Sequence, residues 1–171
     1  VATRELVRDA RRIVIKPGTR VLTRGDNSVD EPVLERIVRQ AADLLRGGRE
    51  VLIVTSGAIA LGLRRMGLTT RPREINLLQA AAAVGQSRLM QFYERYFEIY
   101  GIHVGQILLT RADVQNRRRY LNGRDTLLTL LEHRIVPIIN ENDAVATEEI
   151  KVGDNDNLSA LVATLAEADL L

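Results

Sequence analysis

The chain contains no cysteine, no tryptophan and, among its 24 lysines and arginines, only two lysines, Lys16 and Lys151. Without cysteine it can form neither a disulfide nor a thiolate metal site, and a cysteine nucleophile is excluded. Its two histidines, His103 and His133, lie far apart in the sequence, which argues against a histidine metal cluster. We therefore predict no metal held by the protein alone. The chemistry is left to hydroxyl, amide, carboxylate and ammonium groups.

Long apolar runs are also missing. No uninterrupted stretch approaches the ~20 residues of a membrane span, and no signal peptide precedes the first predicted strand. The length of 171 residues, with 46% hydrophobic and 27% charged residues, is typical of one globular domain. A net charge of +2 gives no support for a nucleic-acid partner, so we interpret the arginines at 117–119 as the solvated start of a helix. We expect a cytoplasmic protein with neither membrane nor nucleic acid as partner.

Short apolar runs alternate with amphipathic ones. The β-branched runs predict strands at 13–15, 51–54, 102–109 and 135–139. Helical spacing predicts helices at 30–45, 58–67, 74–100, 118–132 and 158–168. We expect Val21 and Leu22 to extend the first strand, and Gly85 to break the third helix. Continuous apolar strands between helices indicate a mainly parallel sheet covered on both faces, which is an α/β sandwich.

The last residues, Asp169 to Leu171, resemble the opening of a further buried strand with no stop signal after it. We therefore expect the chain to be part of a longer protein.

Small and polar residues follow three of the predicted strands. Gly18 and Thr19 follow the first, Ser56 and Gly57 the second, and the run 140–143 the fourth. Ligands of parallel sheets bind beyond the carboxyl ends of the strands. The convergence of these polar ends predicts a binding site there.

Lys16 begins a turn, Lys16-Pro17-Gly18-Thr19, that is suited to an anion, because glycine permits close backbone approach and lysine supplies charge. The turn lacks the GxxxxGK[ST] pattern and equally fits an ordinary strand-to-loop turn. The segment Thr55-Ser56-Gly57 joins a strand to a helix, whose free amides suit a carboxylate or phosphate. Alone, it is better explained by Thr55 or Ser56 acting as a helix N-cap.

The region 140–157 combines six acidic residues and four asparagines with the single base Lys151. A solvated face would not begin directly after a buried strand, as the run at 140–143 does. The segment 154–157 precedes an apolar helix, and we expect its side chains to cap that helix. Asparagine amides both donate and accept, so they can recognise the ammonium and carboxylate of an amino acid. A calcium loop is rejected, because the required later glycine and glutamate are missing.

Several runs closely resemble the bacterial glutamate 5-kinases. They are VTSGAIA at 54–60, AAVGQSRLM at 82–90, GIHVGQ at 101–106, LTRAD at 109–113, NENDAVAT at 140–147 and GDNDNLSAL at 153–161. The resemblance covers essentially the whole chain. It implies the amino-acid-kinase fold, a three-layer αβα sandwich with a mainly parallel sheet. It also implies transfer of the γ-phosphate of ATP to the side-chain carboxylate of L-glutamate, the first step of proline biosynthesis.

The resemblance further implies Mg²⁺ with the ATP, proline as a feedback inhibitor, and a homo-oligomer. Residues 1–171 would form the glutamate-binding portion of the kinase domain. The ATP-binding half and any RNA-binding-like domain would lie beyond Leu171. We accordingly expect no measurable kinase activity from these 171 residues alone.

Roles pass to individual residues through the same resemblance. The catalytic residues would be Lys16 and Asp156, and the residues binding the ATP phosphates would be Lys16, Gly18 and Thr19. The residues binding glutamate would be Ser56, Gly57, Asp143 and Asn155. Supporting residues would be Asn140, Lys151 and Asp154.

Two alternatives stay open. The chain could be a non-catalytic module that binds glutamate or proline without turnover. It could also be another amino-acid kinase such as an acetylglutamate kinase, although the run 140–157 favours free glutamate.

Overall fold

A computed structural model describes residues 2–146 and 155–171. Its centre is a four-stranded sheet built from β1 (Arg12–Ile15), β2 (Glu50–Val54), β3 (Val104–Leu109) and β4 (Val136–Glu141). The spatial order is β1-β2-β4-β3, and each of the three pairings is parallel. The predicted parallel sheet is confirmed, with β2 and β4 at its centre.

Eight helices surround this sheet in the described residues. They are α1 (Ala2–Asp9), α2 (Thr19–Leu22), α3 (Glu31–Arg46), α4 (Ala58–Arg65), α5 (Ile75–Glu98), α6 (Arg111–Gln115), α7 (Arg117–Glu132) and α8 (Asp156–Leu165). The sequence predicted the five long ones; the short helices α1, α2 and α6 were missed. None of the described helices is long and apolar enough to cross a bilayer.

The central strand β2 shows why the fold has three layers. Its residues 51–54 are fully buried, and alternate side chains point to opposite faces of the sheet. Val51 and Ile53 pack into one apolar cluster with residues of α3, α4 and α5. Leu52 and Val54 pack into a second cluster with residues of α7 and α8. The αβα sandwich is confirmed.

Local signals set both ends of α3. The carboxylate of Asp30 accepts a hydrogen bond from the Val33 amide at 3.4 Å, and proline lies in the first turn. The chain leaves the helix through Gly47 and Gly48, and Gly48 has a φ of 80° that favours glycine. The arginines at 117–119 likewise begin α7 with their side chains exposed, as expected.

The expected strand extension through Val21 and Leu22 is wrong. These residues lie in α2, whose amides at 21 and 22 donate to the Gly18 carbonyl at 3.0 and 3.2 Å. A helical turn buries Leu22 in the cluster beneath α3 and leaves Val21 half exposed. A strand within this sheet, which is covered on both faces, would bury both side chains, whereas the helical turn buries only Leu22.

The expected break at Gly85 is also wrong, since α5 runs unbroken from Ile75 to Glu98. A side chain at Gly85 would place its Cβ 1.6 Å from the Ala58 carbonyl oxygen, and one at Gly62 would lie 1.7 Å from the Ala81 carbonyl oxygen. These two glycines let the backbones of α4 and α5 touch. Gly85 therefore serves helix packing and does not end the helix.

The fourth strand is longer than predicted. Asn140 and Glu141, expected in a loop, continue β4 because they pair with Leu108 and Leu109 of β3. At the chain end, Leu170 forms a parallel bridge with Ile13, which agrees with the strand-like character expected there.

Replacement of Gly85 by alanine should lower the free energy of unfolding by about 3 kcal/mol, because the backbones of α4 and α5 must separate to admit the methyl group. Gly123, inside α7, is the matched control: its nearest neighbour would be a Leu109 methyl at 3.9 Å. Gly123→Ala should stabilise by roughly 0.5–1 kcal/mol through helix propensity. Urea unfolding of both variants checks the pair. Equal stabilities would contradict the packing role of Gly85.

Candidate functional site

A cleft of about 480 Å³ opens at the carboxyl ends of the sheet strands. It is lined by residues after β1 and β2, by the first turn of α4, by the end of β4 and a residue after it, by one residue between α4 and α5, and by the residue before α8. These are Thr19, Ser56, Gly57, Ala58, Ile59, Ala60, Arg71, Asn140, Glu141, Asp143 and Asn155. The convergence predicted from the polar strand ends is therefore present.

One wall of the cleft is the first turn of α4. Its N-cap is Gly57, with a φ of 98° and no side-chain cap hydrogen bond. The interpretation of Thr55 or Ser56 as the N-cap is therefore wrong. Because Ser56 precedes the cap, its hydroxyl lies in the cleft and is not used to satisfy the helix. The amides of 58–60 have no acceptor within the helix and favour an anion at this end.

The buried side chain of Asn155 holds the floor of the cleft together. Its Nδ2 donates to the Thr55 carbonyl at 2.6 Å and to the Asn140 Oδ1 at 2.7 Å, and it lies 3.3 Å from the Ser56 Oγ. Asn155 is the N-cap residue of α8 by position, but its side chain makes no cap hydrogen bond. The expectation that this side chain caps the helix is wrong. The amide instead joins α8 to the ends of β2 and β4.

Further amides continue this contact into the protein. Asn140 Nδ2 donates to Gln86 Oε1 at 2.9 Å, and Gln86 Nε2 donates to Gln106 Oε1 at 3.0 Å. Asn140 and Gln86 are buried, whereas Gln106 is exposed. The four residues Asn155, Asn140, Gln86 and Gln106 are called the amide chain below.

A phenol supports the same corner from the core. The hydroxyl of the fully buried Tyr93 lies 2.9 Å from Thr55 Oγ1. Burial raises the pKa of Tyr93, so the phenol stays protonated and can donate to Thr55. This hydrogen bond holds the Thr55 side chain on the core side of the cleft.

Lys16 follows β1 directly and forms an ion pair with Asp156, the first residue of α8. The lysine side chain is 20% exposed and that of Asp156 is 68% exposed. The carboxylate also lies at the positive end of α8, where a negative charge is favoured. Since Asn155 lines the cleft, the ion pair places the Lys16 ammonium beside it.

Gly18 lies between this lysine and the cleft residue Thr19. Its φ is −73°, and a Cβ built there would meet nothing within 4 Å. Folding therefore does not require glycine at this position. The open space in front of Gly18 leaves room for a ligand.

Most of the predicted site residues come together. Ser56, Gly57, Asp143, Asn140, Asn155 and Thr19 line the cleft, whereas Lys16 and Asp156 do not line it but form an ion pair with each other next to Asn155. Lys151 and Asp154 lie outside the described residues. The positions agree with the predicted site, while the individual roles stay predictions.

Sequence reasoning missed Arg71, Gln86 and Tyr93. Arg71 lines the cleft from the loop between α4 and α5, and one arginine among so many carries no local signal. Gln86 and Tyr93 lie in the long helix α5, where helical spacing alone marks them as ordinary core positions. Within the described ranges, no group of three or more His, Asp or Glu side chains could hold a metal ion.

Comparisons with known proteins agree with this architecture. The sequence pattern of the amino acid kinase family matches residues 11–171. Curated proteins named glutamate 5-kinase from Escherichia coli O1:K1 / APEC and from Enterobacter sp. (strain 638) are each 58% identical over 163 residues. The match covers 95% of this chain and 44% of each relative, so the chain spans less than half the length of these relatives.

Among solved structures, a UMP kinase from Ureaplasma parvum is similar, with a TM-score of 0.58 and 15% identity over 92% of this chain and 65% of that one. At this identity the likeness concerns the fold alone. The family match over nearly the whole chain shows that the chain belongs to the amino acid kinase family.

Proposed function

We propose that the chain is the glutamate-binding portion of a kinase that transfers the γ-phosphate of ATP to the side-chain carboxylate of L-glutamate. The products are L-glutamyl 5-phosphate and ADP. The observation that carries the proposal is that Ser56 and Asn155 line one cleft while the residue next to Asn155, Asp156, forms an ion pair with Lys16. The similarity to proteins named glutamate 5-kinase supports the choice of substrate.

The polar groups of the cleft suit an amino acid. Ser56 can donate its hydroxyl to a carboxylate, and the first-turn amides of α4 add donors beside it. Asn155 Oδ1 and the Asp143 carboxylate are acceptors for an ammonium group. Both kinds of partner therefore line the same open cleft.

The phosphate groups would bind on the β1 side of this space. Lys16 would neutralise charge on the transferring phosphoryl group, and Asp156 would hold the lysine in place. Phosphoryl transfer between two oxygens needs positioning and charge neutralisation more than a nucleophilic side chain, which fits the absence of cysteine. Mg²⁺, when bound together with ATP, would neutralise part of the phosphate charge, and a metal that binds through substrate phosphates needs no dedicated carboxylate cage in the protein.

Further expectations from the sequence belong to this proposal. They are the assignment of residues 1–171 to the glutamate-binding portion, the supporting roles of Lys151 and Asp154, proline as an inhibitor, a homo-oligomer and a cytoplasmic location. A non-catalytic module that binds glutamate or proline stays the alternative, because the chain spans only 44% of its relatives.

A chimera tests the proposed reaction. In it, this chain replaces the matching 163 residues of the Escherichia coli relative. We expect glutamate- and ATP-dependent acyl phosphate, trapped with hydroxylamine as the hydroxamate. Lys16→Met should reduce the rate by about 10²-fold or more, because one preorganised charge at the phosphoryl group is lost.

The unsubstituted Escherichia coli protein is the control for the assay, and calorimetry on the 171-residue chain is the second measurement. The chain alone should bind L-glutamate and transfer no phosphate. An active relative beside a folded but inactive chimera, with no glutamate binding by the chain, would contradict the proposal. Glutamate binding by the chain together with an inactive chimera would favour the non-catalytic module.

Gly18→Ala separates a ligand requirement from a folding requirement. The free energy of unfolding should change by less than about 0.5 kcal/mol, because the backbone is unstrained and the space is open. Phosphate transfer by the chimera should fall, because the methyl group occupies the approach to Lys16.

Gly57→Ala is the contrasting variant. Its φ of 98° and the Thr23 methyl 3.3 Å from the new Cβ should cost about 1–2 kcal/mol of stability. Urea unfolding and the hydroxamate assay check both variants. Unchanged transfer by Gly18→Ala would remove Gly18 from the phosphate site.

A further inference from the structure

We propose that Gln86 is a positioning residue, which fixes through Asn140 the orientation of the Asn155 amide in the cleft. The inference rests on the proposed function insofar as Asn155 contacts glutamate. Gln86 itself lies one residue further along the amide chain and does not line the cleft of Ser56 and Asn155. Its action on a ligand is therefore indirect.

Two main-chain groups determine which way every amide in the chain points. The Thr55 carbonyl can only accept, so the Asn155 atom 2.6 Å from it is the NH₂ group. The Glu141 amide can only donate, so the Asn140 atom 2.9 Å from it is the oxygen. Both conditions agree, because Asn140 Oδ1 then also accepts from Asn155 at 2.7 Å.

The remaining amides follow in sequence. With its oxygen used twice, Asn140 presents its NH₂ group to Gln86, which must offer an oxygen at 2.9 Å. Gln86 then presents its own NH₂ group to Gln106 Oε1 at 3.0 Å. All donors therefore point away from Asn155 and towards Gln106, and none of the buried residues Asn155, Asn140 and Gln86 can turn its amide over without setting two pairs of like groups against each other.

This polarity decides which atoms face a ligand. The contact between Asn155 Nδ2 and Ser56 Oγ at 3.3 Å has the NH₂ group as donor and the serine oxygen as acceptor, so it does not use the Ser56 hydroxyl proton, which stays available for the cleft. Within the described residues, every hydrogen bond of the Asn155 side chain uses Nδ2. The cleft accordingly meets an acceptor from Asn155 and a donor from Ser56.

Gln86 is the acceptor on which this arrangement depends. If a leucine replaced Gln86, the NH₂ group of Asn140, a residue that is only 2% exposed, would face an apolar side chain and lose its acceptor. Turning Asn140 over would relieve that group but would set NH₂ against the NH₂ of Asn155 and the amide of Glu141. Either response disturbs the Asn155 amide.

The end of the amide chain that lies farthest from Asn155 is accessible to solvent. Gln106 is exposed and, with Gln86 and Ser87, lines a second cavity of about 630 Å³ beside the cleft. The two cavities share Ala58, Glu141 and Asp143. Gln106 can therefore be changed without entering the core, which gives a variant that does not threaten folding.

The test uses the 171-residue chain and two measurements, the side-chain amide resonances of Asn140 and Asn155 in ¹H–¹⁵N spectra and the affinity for L-glutamate by calorimetry. Gln86→Leu should shift both pairs of resonances and weaken glutamate binding about tenfold, as expected for a buried donor without an acceptor. Gln86→Glu keeps an oxygen towards Asn140, and the exposed Gln106 can rotate to donate to it. This variant should restore affinity to within about twofold of wild type.

Gln91→Leu, on the exposed side of the same helix, is the matched control and should change neither measurement. Gln106→Leu should shift the Gln86 resonances, with an effect on affinity smaller than that of Gln86→Leu, and it decides the question if Gln86→Leu does not fold. Unchanged Asn155 resonances in Gln86→Leu, or shifted resonances with unchanged affinity, would overturn the proposal. If the wild-type chain binds no glutamate, the proposed function fails for this chain, whereas the resonances still decide whether Gln86 orients Asn155.

Discussion

The hydrogen bond from the Asn155 side chain to the Thr55 carbonyl joins parts of the chain that are 100 residues apart. Thr55 directly follows β2 at the centre of the sheet, and Asn155 directly precedes α8 on one face of it. A buried carbonyl at the end of a strand needs a donor, and here an asparagine supplies one that also reaches Asn140 of β4. The position of Asp156 relative to Lys16 depends on this contact, because Asp156 is the next residue. One amide thus sets the geometry on both sides of the cleft.

Close backbone contact between α4 and α5 supports the wall of the cleft that the first turn of α4 forms. Gly62 and Gly85 remove the side chains that would hold the two helices apart. The approach brings α5 near enough to the sheet for Gln86 to reach Asn140 and for Tyr93 to reach Thr55. Polar groups from α5 can then be satisfied inside the core, where an unpaired amide or phenol would be costly. Helix packing and the polar floor of the cleft are therefore parts of one arrangement.

The sequence was sufficient for the layers and for the location of the site, since both follow from local patterns. Continuous apolar strands predict a buried parallel sheet, and the polar residues after three strands must meet at one edge. It was insufficient for hydrogen bonds between distant residues. Serine and asparagine are residue types that commonly cap helices, so Ser56 and Asn155 resemble caps in the sequence. The structure shows that Gly57 is the cap of α4 and that the Asn155 side chain donates to the carbonyl of Thr55, directly after β2. Gly85 was misread for the same reason, because nothing near it in sequence indicates the Ala58 carbonyl that lies against it.

The scarcity of lysine gains a physical meaning at position 16. Most of the described arginines lie at the surface. Some form exposed ion pairs, such as Arg119 with Asp113, and some lie over aromatic rings, as Arg95 lies 4.8 Å from the Tyr96 ring centre. Those contacts use the planar fork of guanidinium. Lys16 is instead mostly covered and follows a buried strand directly. A compact ammonium can contact Asp156 there and, under the proposed function, still present hydrogens to a phosphate, whereas guanidinium is a bulkier planar group. Under the proposed function, lysine at this position suits a small anion site.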